Sequence, residues 1–163
     1  MFQSTYQPNP TCDLILERIV TVAPDLIWKA WTQPELLKKW FTPSPWATVE
    51  CEIDLCTGGA FNTVMRSPEG QDFPNAGCYL EIIENQKLVW TNALLQGFRP
   101  AVLSPDEFTF TAIISLEPHP QGTKYTATVT HGDEASCQKH NELGFHEGWG
   151  AALDQLVALI KQP

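Results

Sequence analysis

Apolar and polar positions alternate with two different periods along this chain, and the change from one to the other marks its elements. "DLILERIVTV" (13–22) is rich in β-branched residues and predicts a strand. The next segment, "APDLIWKAWTQPELLKKWF", places Ile27, Ala30 and Trp31 at helical i, i+3, i+4 spacing, with Pro24 and Asp25 suited to a first turn. Pro34 interrupts that pattern, which predicts two short helices, 24–32 and 34–40. From Trp46 to His131 the period becomes two. "ATVECEIDL" sets Ala47, Val49, Cys51, Ile53 and Leu55 against Thr48, Glu50, Glu52 and Asp54, as in a strand with one wet face. "TGG" and "SPEGQ" are turns around the strand "AFNTVMR", and a further strand follows at about 77–84. "ENQK" turns the chain into "LVWTNAL". "QGFRPAVLSPD" (96–106) has two prolines and no period, so it reads as a loop. "FTFTAIISL" and "KYTATVTH" are strands on either side of "PHPQG", and Gly132-Asp133 ends the sheet and caps a helix running to about Lys161.

Six consecutive strands without intervening helices make an antiparallel meander and exclude a doubly wound parallel sheet. The expected architecture is α+β: a curved antiparallel sheet of about seven strands wrapped around a long C-terminal helix. Two short helices after the first strand would cover the opening. Residues 1–12, with two prolines, read as a flexible arm, and 13–163 as a single domain.

The alternation also assigns faces. Thr126, Thr128 and Thr130 suit solvent, so Tyr125, Ala127, Val129 and His131 should point towards the helix. Phe108, Phe110, Ala112, Ile114 and Leu116 of the preceding strand follow the same rule. Phe61, Met65 and Trp90 are preferred inward, and 77–84 is ambiguous between Tyr79/Ile83 and Leu80/Ile82. The final helix, "GFHEGWGAALDQLVALI", begins its apolar seam with His146 and Trp149 among glycines. Interior glycines each cost about 1 kcal/mol relative to alanine, so they mark close packing or open space. Histidine at the start of the seam points to a cavity bordered by the helix's first turns.

A net charge of −9, from 10 basic and 19 acidic residues, opposes nucleic-acid binding, which calls for clustered Lys and Arg. No stretch approaches the ~20 apolar residues of a membrane span, and the N-terminus lacks the pattern of a secretory signal, so a cytoplasmic location is expected. Five scattered cysteines (Cys12, Cys51, Cys56, Cys78, Cys137) without a C-x-x-C pair read as reduced thiols. No G-x-S-x-G, P-loop or H-E-x-x-H motif occurs. His131, His140, His146 and Asp133 lack the tight spacing of metal ligands, so neither metal nor cofactor is expected. Glu81, Glu107 or Asp72 would serve as a general base only if burial raised its pKa.

The runs "VAPDLIWKAWTQPELLKKWF", "DLCTGGAF", "VMRSPEGQDFPNAGCYLEI", "KLVWTNA" and "HNELGFHEGWGAALDQL", in this order, resemble the activator of heat-shock-protein-90 ATPase homologue-like family. That family belongs to the START-like (SRPBCC) superfamily, with its helix-grip, Bet v 1-like fold, and the likeness covers roughly residues 13 to 161. The resemblance implies a hydrophobic cavity between sheet and C-terminal helix, with the short helices at its mouth and a small apolar or amphipathic molecule inside. Two departures lie in the lid segments: Thr42 where relatives often carry glycine, and the proline-containing loop 96–106.

The leading expectation is therefore a stand-alone domain that binds a small hydrophobic ligand. His146 and Trp149 would line the pocket opposite Phe61, Met65, Trp90, Phe110 and His131, with Trp31, Trp40 and Phe41 as cover. One alternative is an enzyme of cyclase, hydrolase or ring-cleavage type using the same cavity and its histidines. Another is a protein-interaction role of the chaperone-ATPase-activator kind, through acidic Glu50, Glu52 and Asp54. A homodimer is compatible with each.

Overall fold

A computed structural model describes residues 7–163 of the chain; the first six residues of the expected arm lie outside the described residues. The elements follow the predicted order. They are β1 (Asp13–Val20), α1 (Pro24–Thr32), α2 (Pro34–Leu37), β2 (Ala47–Ile53), β3 (Ala60–Arg66), β4 (Asp72–Ile83) and β5 (Lys87–Thr91). The second half contains β6 (Leu94–Leu95), β7 (Arg99–Pro100), β8 (Phe110–His119), β9 (Gly122–His131), α3 (Glu134–Glu142) and α4 (Phe145–Lys161). Seven strands form one antiparallel sheet in the order β1-β9-β8-β5-β4-β3-β2. Only β1 leaves the meander, crossing to pair with β9 (Leu14 opposite Val129, Leu16 opposite Ala127). Helix α4 lies against the inward face and shares one core with it, through Phe145, Leu153 and Leu156.

The inward face can be followed across the sheet because residues directly opposite in antiparallel strands share a face. Tyr125 pairs with Leu116, Ala127 with Ile114, Val129 with Ala112 and His131 with Phe110. Ala112 pairs with Trp90, and Trp90 with Tyr79. A bulge between Tyr79 and Glu81 then lets Ile82 face inward opposite Leu88, although it is an odd number of residues from Tyr79. That bulge is why neither alternation read from 77–84 holds throughout the strand. A second bulge, between Thr48 and Glu50, breaks the expected face of β2. It turns Thr48 inward, where its hydroxyl pairs with that of buried Thr42.

Four stretches differ from expectation. The expected single C-terminal helix is two helices, because Gly144 adopts φ 92°, ψ 42° and stops α3. Glycine takes this left-handed conformation without a Cβ clash, and the break re-aims the chain so that the apolar seam of α4 meets the sheet. Asp133 caps α3 as predicted, accepting from the Ser136 backbone N–H at 2.7 Å. Helix α2 ends at Leu37 rather than at residue 40, and the chain curls so that the Trp40 indole donates to the Ala30 carbonyl at 3.0 Å. Segment 96–106, read as a loop, carries β7 and a 3-10 turn, and β7 pairs with β6. Residues 9–12, assigned to a flexible arm, form a hydrogen-bonded turn, with Asp13 N–H donating to the Asn9 carbonyl at 2.8 Å.

Candidate functional site

The interior between α4 and the sheet is a column of aromatic rings. At the covered end Trp31 of α1 meets Trp40 with ring centroids 4.7 Å apart. It meets Trp90 of β5 at 5.1 Å. Phe61 of β3 stacks on Trp90 at 5.1 Å with 9° between planes, and Trp149 of α4 stacks on Trp90 at 6.2 Å, again at 9°. Phe41 lies 5.7 Å from both Trp31 and Phe61. Trp31, Trp40, Phe61 and Trp90 are buried, whereas Phe41 and Trp149 are half-buried. These six rings, all named from the sequence, meet one another in the structure. Their contacts fill the centre of the interior. Two open recesses lie elsewhere. One, of about 240 Å³, is lined by Thr91, Thr111 and Thr130 beside His131. The other, of about 290 Å³, lies between Pro8–Pro10 and β1.

Two polar atoms inside the column have no hydrogen-bond partner among the described residues: Trp31 Nε1 and Tyr79 Oη. Tyr79 is fully buried, packs 5.3 Å from Phe61, and burial pushes its phenol pKa up, so the hydroxyl stays neutral and retains a proton to donate. The Tyr125 hydroxyl approaches the Trp31 indole, but no hydrogen bond of acceptable geometry forms. An unmatched buried hydroxyl costs roughly 1–3 kcal/mol, and native interiors seldom tolerate one without reason.

The other end of the column carries a histidine pair. His131 Nδ1 lies 2.8 Å from the Cys12 carbonyl, and its Nε2 lies 2.9 Å from Nδ1 of His140 on α3. Burial, and secondly the neighbouring His131, lower the His140 pKa to about 4, so this ring is neutral at physiological pH. Phe108 (5.0 Å), Phe110 (5.4 Å) and Phe145 (5.4 Å) surround it, and Trp149 meets it edge-on at 6.5 Å. Lys139, next in the chain, donates to the Asp106 carbonyl and ties the loop bearing Phe108 to α3.

Two expected pocket residues stand apart. His146 is exposed and bonds the edge of β1 through the Ile15 carbonyl (3.3 Å), because α4 turns Phe145 rather than His146 into the core. This corrects the placement of His146 in the seam. Met65 lies on the inward face but half-buried near the rim, opposite Thr48 and Phe73, outside the core cluster. The sequence named His140 only as a candidate metal ligand, and Phe145 and Gln155 were missed. The spacing Phe145, Trp149, Leu153, Leu156 was a usable signal for the first helical seam residue. Gln155 carried none: it donates to the Trp40 and Thr42 carbonyls, both at 2.9 Å, and accepts from Ser44 N–H, pinning the cover to α4. Thr42, set apart above as a departure, has its structural reason in the Thr48 hydroxyl.

Among the described residues no three His, Cys, Asp or Glu side chains converge as a metal centre would need. All five cysteines are free, and burial raises the Cys51 thiol to a pKa of about 11, which keeps it protonated. Among the described residues no helix is long and apolar enough to cross a membrane.

A sequence profile described as Activator of Hsp90 ATPase homolog 1-like protein matches residues 21–161. Among solved structures, a crystal structure of a Nitrosomonas europaea protein is 47% identical, with a TM-score of 0.90, over 95% of this chain and 97% of that one. A Rhodobacter sphaeroides protein has TM-score 0.81 at 19% identity, covering 94% of this chain and 95% of the other. The solution structure of an Arthrobacter aurescens protein also reaches 0.81, at 20% identity over 98% and 92%. The last two are alike in fold alone. No curated protein matches the chain.

Proposed function

As this chain belongs to the activator of Hsp90 ATPase homolog 1-like family, of START-like helix-grip fold, we propose that it binds one small, largely aromatic molecule between α4 and the sheet. The observation that carries this reading is the Tyr79 hydroxyl, fully buried against aromatic rings with nothing to bond. Binding sites are mostly apolar walls with a few polar groups that orient the ligand, and Tyr79 with the Trp31 N–H supplies those groups. Flat rings of a ligand would stack on Trp90 and Phe61 in the manner these side chains stack on one another. Space is made by Phe41 and Trp149, the two half-buried members of the column, swinging outward.

Native mass spectrometry of freshly purified protein tests the proposal directly. A discrete molecule retained in stoichiometric amount is the expected result. Tyr79→Phe sharpens it: retention falls, while the empty protein becomes more stable by about 1 kcal/mol in urea because an unpaired buried hydroxyl is removed. If Tyr79→Phe destabilises the protein and leaves retention untouched, the hydroxyl is structural and the reading is lost.

A second reading, contact with a basic protein partner, draws on the exposed carboxylates of Glu50 and Glu52 on edge strand β2 with Asp54 beyond it. It requires association that weakens steeply with salt.

A further inference from the structure

The hydrogen bonds of the histidine pair set the proton positions of both rings. A carbonyl only accepts, so His131 Nδ1, 2.8 Å from the Cys12 carbonyl, carries a proton. In the neutral pair His131 Nε2 is then a lone pair, and His140 Nδ1, 2.9 Å away, is its donor. One lone pair is left, on His140 Nε2, which has no hydrogen-bond partner among the described residues. The chain of bonds from Cys12 through His131 ends there, in a half-buried ring bordered by Phe108, Phe110, Phe145 and Trp149.

From this geometry we infer that His140 Nε2 is a ligand-recognition site for a flat aromatic molecule bearing a hydroxyl donor, a phenol in chemical class. The inference rests on the ligand-binding reading above and adds the ligand's chemistry to it. Phenol fits on both counts. Its ring matches the aromatic surround, and its O–H is a donor for the fixed lone pair. A carboxylate or phosphate is disfavoured, because in that arrangement the ring protons are committed to each other and to Cys12 and offer an anion no donor at this point. His131 is a positioning residue: it holds the tautomer of His140 and does not touch the ligand. Trp149, edge-on to His140 and stacked on Trp90, links this acceptor to the Tyr79 end of the column. Phe108 borders His140, and Lys139 ties the neighbouring Asp106 to α3.

The test compares 2-naphthol with 2-methoxynaphthalene, which keeps the ring and oxygen but has no O–H. Calorimetric titration of the full chain is expected to show naphthol bound about five- to tenfold more tightly, the worth of one hydrogen bond. His140→Phe, which keeps an aromatic ring and deletes the lone pair, should bind both probes alike. Equal binding of both probes by the natural chain, or a preference that survives His140→Phe, overturns the acceptor site while leaving the aromatic pocket standing. Binding of neither probe removes both readings together. Should His140→Phe not fold, nitrogen NMR of the natural chain decides. Naphthol must shift the His140 Nε2 resonance and methoxynaphthalene must not; an unmoved resonance refutes the inference.

Discussion

His140 is neutral in the fold for a reason with a thermodynamic consequence. Its folded pKa lies near 4, below the ordinary value of 6.5, so the unfolded chain takes up a proton first as pH falls. The sign follows from linkage: stability rises with pH wherever the unfolded state binds more protons. The contribution of neutral His140 is therefore fully present above about pH 6.5 and is lost progressively as pH drops towards 4. Urea midpoints measured across this window should fall more steeply for the natural chain than for His140→Phe. Parallel curves would mean that another group governs the acid limb. Asp133 acts in a separate, lower window, since the Ser136 backbone N–H holds its carboxylate below the usual range.

Within α4, two glycines with the same propensity cost meet different surroundings. A Cβ added at Gly148 meets nothing within 4 Å, whereas one at Gly150 would lie 2.5 Å from the Arg18 guanidinium. Arg18 sits on the inward face of β1 opposite Tyr125 and reaches past Gly150 to Asp154 at 2.9 Å. Gly148→Ala should raise helix and protein stability by about 0.5–1 kcal/mol, read as a higher urea midpoint at unchanged slope. Gly150→Ala should gain less or lose, because the arginine has to move. Equal gains at both positions would show that Arg18 exerts no constraint. The helix pattern in the sequence marked both glycines as informative, yet only the register of β1 against α4 separates close packing from open space.

Across the whole molecule, pairing of β1 with β9, from Asp13 opposite Thr130 to Val20 opposite Thr123, ties the first strand to the last, and α4 inserts into a core that draws on both halves of the chain. A core of this kind has no independent half, so urea unfolding followed by tryptophan fluorescence and by far-ultraviolet circular dichroism should give coincident transitions. Separated transitions would show that α4 and its aromatic contacts come apart before the sheet. The order of elements, the antiparallel meander and the inward faces of β8 and β9 were legible in the sequence, because period two and turn residues are local signals that burial on one face enforces. Phe61 and Trp90 were preferred inward for the same reason, and Trp31 and Trp149 were read from helical spacing. Bulges at β2 and β4 were not, since one extra residue reverses the alternation and only the partner strand's register shows where. Nor was the exchange of His146 for Phe145, which follows from the break at Gly144 and the angle at which α4 leaves it. The histidine pair joins Cys12, His131 and His140 across three elements distant in sequence. Local pattern determined which faces of this protein are apolar, and tertiary structure alone decided which polar atoms are buried among them with or without a partner, because hydrogen bonds between remote segments leave no periodic trace.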